Sequence, residues 1–136
     1  MIESDEGAYS PGSGRGPPHA RRDGTFPMAF RKYVRGETRP DLPLEVGESV
    51  LTLEEAVNKM TAKPAARIGL WDRGLIRLGM RADIVVFDPE RIADRATYSN
   101  PQQYPEGIDW VLVNGVAVVR DGEQTDALPG TILRRH

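Results

Sequence analysis

Apolar residues recur at a helical spacing in one part of this chain and at a strand spacing in another. Leu53, Ala56, Val57 and Met60 fall at i, i+3, i+4 and i+7, one face of a helix running to Met60. Thr52 stands where an N-cap belongs, with Glu55 three residues on, the spacing of a capping box. A second short helix starts near Pro64, acceptable in a first turn, carries Ala65, Ala66 and Ile68, and stops at Gly69. Upstream, Phe26, Phe30, Tyr33 and Val34 predict a short helix over 26–35, with Pro27 in its first turn. After Gly69 the period changes. Ile84-Val85-Val86-Phe87 is β-branched and aromatic, a strand that Asp88-Pro89 ends. Ile108–Val113 is a second strand, with Ile108, Trp110 and Leu112 on one face and Val111 and Val113 on the other. Asn114-Gly115 is a strong two-residue hairpin signal, Val116–Val119 is the returning strand, and Asp121-Gly122 is a further turn. The chain is thus helical before about residue 70 and β after it. Residues 1–24, with Pro11, Gly12, Gly14, Gly16, Pro17 and Pro18, read as loop. So do 36–49, with Pro40, Pro43 and Gly47, and 90–107, with Pro101, Pro105 and Gly107.

Composition narrows the classes. At 136 residues the chain is long enough for a core of its own. Its formal charge of -2 and scattered basic residues argue against a nucleic-acid partner or an anionic membrane surface. No apolar run reaches membrane-spanning length, and the start lacks the pattern of a signal peptide. The absence of cysteine fits a cytoplasmic protein without disulfides. With only His19 and His136, a histidine-rich metal site cannot be built from this chain alone.

Few residues offer chemistry when read bare. Asp5 before Glu6-Gly7 is an ordinary solvated loop residue, and Arg21 beside Arg22 an ordinary surface arginine. Asp83, beside an apolar strand, suits a cap on backbone N–H groups of the Gly79 turn. Trp71 and Trp110 read as packing residues. Gly74 and Gly79 read as turn glycines, since no helix follows to cradle a phosphate.

Several stretches together resemble the C-terminal part of the D-aminoacylases, the N-acyl-D-amino-acid deacylases of the amidohydrolase superfamily. They are Ser4-Asp5, His19-x-Arg21-x-x-Gly24-Thr25-Phe26-Pro27, Leu53 to Thr61 with Pro64-Ala65, and Asp72-Arg73-Gly74 through Asp88-Pro89. Tyr104-Pro105-x-Gly107-Ile108 and Val111 to Gly115 complete the set, which spans Ser4 to Arg134. The Gly-x-x-x-x-Gly-x-x-Ala-Asp stretch from Gly74 marks the wider superfamily. Gly24-Thr25-Phe26-Pro27 in register narrows it, and argues against a hydantoinase- or dihydroorotase-like tail.

The resemblance implies an α/β parent, a distorted TIM barrel with a small β-sandwich built from both chain ends. This chain would be its C-terminal fragment: residues 1–70 the end of the barrel, residues 71–136 part of the β-sandwich. It implies zinc-dependent hydrolysis of N-acyl-D-amino acids, small-molecule substrates. Asp5, at the end of the last barrel strand, would contact the metal and its water and shuttle the proton. Arg21 would clamp the substrate carboxylate, with Ser4 and His19 beside it; Ala20 stands where the family has proline. The family's other metal ligands, a His-x-His pair and later His and Cys ligands, have no counterpart here. The fragment alone is therefore expected to hold no zinc and to be inert. It is also expected to self-associate, through Leu53, Ala56, Val57, Met60 and strands left without partners. A free-standing β-rich interaction module is the alternative of a different class.

Overall fold

A computed structural model describes residues 1–7, 19–42 and 44–133 of the chain. Most of the proline and glycine residues that mark the first segment as loop therefore lie outside the described residues, as do Pro43 and His136. Helix α1 spans Arg21–Ala29 and continues into a π-helical turn, Phe30–Val34, in which the Arg35 N–H reaches back five residues to the Phe30 carbonyl at 3.0 Å. Helices α2 (Leu53–Met60) and α3 (Ala62–Ile68) follow. Strands β1 (Ile84–Phe87), β2 (Ile108–Val113), β3 (Val116–Arg120) and β4 (Glu123–Gln124) form one antiparallel sheet in the order β1-β2-β3-β4.

The local chemistry explains most boundaries. The Thr52 hydroxyl accepts the Glu55 N–H at 3.2 Å and the Glu55 carboxylate accepts the Thr52 N–H at 3.0 Å, which starts α2. Gly69, with φ +81°, ends α3. Asn114 and Gly115 take φ of 50° and 81°, the paired left-handed conformations that a two-residue hairpin needs. Register shifts between Val86 and Phe87, and between Val111 and Leu112, leave Asp109 and Val118 as extra residues in the ladder.

Two expectations need correction, and a third holds with an addition. The first helix begins at Arg21, not at 26, so Pro27 lies inside it. Arg21 to Gly24 has no apolar periodicity to betray it, and its opening N–H is capped from an unusual source described below. Residues 90–107 form the expected loop, with an isolated bridge from Ala93 to Glu106, and the loop packs inward: Ile92, Ala93, Asp94 and Ala96 are buried. Finally, the apolar face of α2 is not left facing an absent neighbour. Ala56 is fully buried with Phe30 and Ile92, and Leu53, Val57 and Met60 pack on that cluster with Phe87 and Ile108. The Phe30 and Phe87 rings lie 5.0 Å apart. One core therefore joins the helices to the end of the sheet where β1 finishes and β2 begins.

Candidate functional site

Residues 1–7 form no regular element, so Ser4 and Asp5 end no strand within the described residues. The segment is tied down by the Ile2 N–H, which donates to the Lys59 carbonyl of α2 at 3.0 Å. Asp5 has φ of 52°, a left-handed conformation that costs most side chains energy but that Asp tolerates. Ser4 beside it is half-buried.

The start of α1 faces this segment. One Arg21 Nη nitrogen lies 3.6 Å from Asp5 Oδ2, and Arg21 Nε lies 3.5 Å from Glu6 Oε2. The Asp5 side chain is 83% exposed, that of Arg21 44% and that of Glu6 20%. His19 contributes through its ring: Nδ1 accepts the Arg21 backbone N–H at 3.0 Å. An imidazole thus does the work usually done by a Ser, Thr, Asp or Asn cap, and the accepting Nδ1 leaves the ring proton on Nε2. The ring also meets Tyr98 edge-on, with centroids 5.4 Å apart. The structure therefore gathers Asp5, Arg21 and His19, 14 to 16 positions apart in sequence for the outer pairs, and adds Glu6 and Tyr98. No motif flagged those two: Glu6 is one acidic residue beside another, and Tyr98 sits in what reads as a featureless loop.

Neighbouring charges are balanced locally. The hydrogen bond that Arg22 donates to Asp23 holds its guanidinium above the ordinary pKa, and the field of Glu6 adds to this. Asp83 is structural, but with partners other than the Gly79 turn. Its Oδ1 accepts the Asn114 N–H of the hairpin at 2.8 Å and its Oδ2 accepts from Arg73 at 2.6 Å. It thus ties the hairpin to the turn before β1.

A cleft of about 480 Å³ lies elsewhere, between the loop after the π-helical turn and residues 90–95. Its walls are ion pairs already made. Arg31 holds Glu45 with both terminal nitrogens (2.8 and 3.1 Å) and Asp94 with Nε (2.7 Å). Arg39 holds Asp94 and Asp41. Burial opposes the charge on Arg31, but the hydrogen bonds it donates to Glu45 and Asp94 outweigh it, so its pKa is raised. The cleft contains neither Asp5 nor Arg21 and is not the candidate site.

Among the described residues, no three His, Cys, Asp or Glu side chains converge on a point that could hold a metal. Nor is any helix among them long and apolar enough to cross a membrane.

The Amidohydrolase family model matches residues 30–119. The N-acyl-D-aspartate deacylase of Alcaligenes xylosoxydans xylosoxydans is 44% identical over 117 residues, 85% of this chain and 21% of the relative. A dihydroorotase of Geotalea daltonii is 37% identical over 70 residues, 51% of this chain and 16% of the relative. Among solved structures, a D-aminoacylase variant in complex with copper chloride superposes with a TM-score of 0.72 at 43% identity, over 86% of this chain and 22% of that one. The zinc complex of N-acyl-D-glutamate deacylase from Bordetella bronchiseptica, with a phosphonate mimic of the tetrahedral intermediate, gives 0.61 at 41% identity, over 78% and 21%. The chain spans about a fifth of the length of these relatives.

Proposed function

This chain belongs to the amidohydrolase family, and from that membership we propose that it is the C-terminal part of an enzyme that hydrolyses N-acyl-D-amino acids to a D-amino acid and a carboxylate. The observation that carries this reading is coverage: deacylases of that class match across 85% of the chain, the dihydroorotase across 51%. The reading includes a barrel whose end is residues 1–70 and a small β-sandwich that takes in residues 71–136. The helices before Gly69 and the antiparallel sheet after Ala82 are consistent with that division. It also keeps the protein in the cytoplasm, on the compositional grounds given above.

In this reaction the amide carbonyl is attacked by water, and the amine leaves with a proton. Asp5 is the carboxylate that accepts the proton from water and returns it to the amine. Its side chain is 83% exposed and so open to water. Arg21 presents the planar fork that fits a substrate carboxylate, exchanging its long contacts to Asp5 and Glu6 for two short ones. His19 fixes the backbone from which Arg21 projects, and Ser4 lines the same segment. The solved deacylase holds zinc, which in such chemistry activates water and polarises the carbonyl. The described residues do not fit a zinc site by themselves, because one exposed carboxylate is too few ligands. No step is therefore routed through the metal. Taken alone, the chain would be inert and would self-associate through exposed Ile76, Leu78 and Val85; a strictly monomeric species in sedimentation would contradict the latter.

The test is an assay of the full-length protein carrying this chain with N-acetyl-D-amino acids, their L-enantiomers and dihydroorotate. Release of D-amino acid with little action on the other two is expected. Ring opening of dihydroorotate, or preference for the L-series, would overturn the proposal.

A further inference from the structure

The charge around Arg21 bears on which substrates fit. Arg21 is shared between Asp5 at 3.6 Å and Glu6 at 3.5 Å, and its neighbour Arg22 is engaged by Asp23 at 3.2 Å. These five side chains hold one more carboxylate than guanidinium. Glu6 is the better buried of the two acids facing Arg21, and its Oε1 also accepts the Gly7 N–H at 3.2 Å, so its carboxylate is fixed rather than free to swing away. In contact with His19, the Tyr98 residue is 80% exposed and presents an apolar ring.

From this arrangement we infer that Glu6 is a specificity-determining residue: it disfavours N-acyl-D-amino acids with acidic side chains, and Tyr98 offers a surface to uncharged ones. The inference rests on the deacylase reading and on Arg21 as the carboxylate clamp. In N-acyl-D-aspartate the second carboxylate is two bonds from the α-carbon. When Arg21 holds the α-carboxylate, the second one enters the field of Glu6, which lies 3.5 Å from Arg21, while the neighbouring Arg22 is engaged by Asp23. An uncharged side chain meets no such repulsion and can lie against the tyrosine ring. The first-named relative acts on N-acyl-D-aspartate, so this chain would differ from it in substrate choice despite 44% identity.

The experiment measures kcat/KM of the full-length protein for N-acetyl-D-leucine and N-acetyl-D-aspartate, in wild type and in Glu6→Gln. The ratio of leucine to aspartate should exceed one in wild type. It should fall about three- to tenfold in Glu6→Gln, the scale of a like-charge contact at a solvent-reached site. Because the ratio is taken within each variant, a change in folding or metal content cancels. In wild type the same ratio should fall as ionic strength rises. Preference for aspartate in wild type, or a ratio unmoved by Glu6→Gln and by salt, would overturn the inference and leave the deacylase reading intact. Hydrolysis of neither substrate would overturn both.

Discussion

Arg31 is charged yet buried, a state it holds because it donates four hydrogen bonds: one each to Asp94 and the Glu37 carbonyl, two to Glu45. Asp94 in turn serves Arg39, so one carboxylate ties the first helical segment, the loop after it and the 90s segment together. Removing it takes one charged partner from each of two guanidinium groups, which keep Glu45 and Asp41. Asp94→Ala should lower stability by about 1.5–3 kcal/mol, read from the midpoint of denaturant unfolding. Acid should act at the rim of this network. The hydrogen bond from Arg35 holds the Glu37 carboxyl below its ordinary pKa, and that from Arg39 does the same for Asp41. A carboxylate depressed in the folded state contributes stability that is complete above its unfolded value, about 4, and lost as pH falls through the lower folded value. Thermal melts should therefore be flat down to that region and drop below it. At this scale sequence reveals little. Arg31 and Asp94 are 63 positions apart, and nothing in either neighbourhood predicts their meeting. Asp5 and Arg21 stand out only through family resemblance. The cap that His19 places on Arg21 was invisible because histidine is not a residue whose presence signals a helix start.

At the scale of elements, legibility follows how local the cause is. The capping box before α2, the glycine after α3 and the Asn114-Gly115 hairpin are decided by residues within a few positions of each other, and all three are plain in the sequence. The start of α1 is not, because its opening turn is polar and borrows its cap from a preceding ring. The π-helical turn is likewise unsignalled. Gly107 shows the same divide: its proline-flanked stretch reads as loop, but its real constraint is tertiary. With φ +77°, a Cβ there would collide with the Ile92 and Arg91 backbone. The clearest element-level test is Thr52→Ala. Losing the hydroxyl leaves the Glu55 N–H without its cap and should cost about 1 kcal/mol, with the loss reported as reduced protection of α2 amides in hydrogen exchange.

For the molecule as a whole, the core is shared between the helical part and the sheet, while much of the remaining apolar surface is uncovered. Ile76 is 87% exposed and Trp71 74%, in the segment leading to β1, and Val85 and Val86 on β1 itself are about half exposed. That distribution is what a chain spanning a fifth of its relatives' length should show if the rest of the parent covers the sheet and its approach. The central claim is that such a parent is a deacylase to which this chain supplies the proton-transferring carboxylate. The measurement that bears on it most directly is the steady-state kinetics of Asp5→Asn in the full-length protein, on an N-acyl-D-amino acid, with bound metal quantified in both forms. The amide keeps the size of the side chain but cannot take a proton from water. The account predicts a fall in kcat of about a hundred- to ten-thousand-fold, with KM little changed. A kcat close to wild type would contradict it.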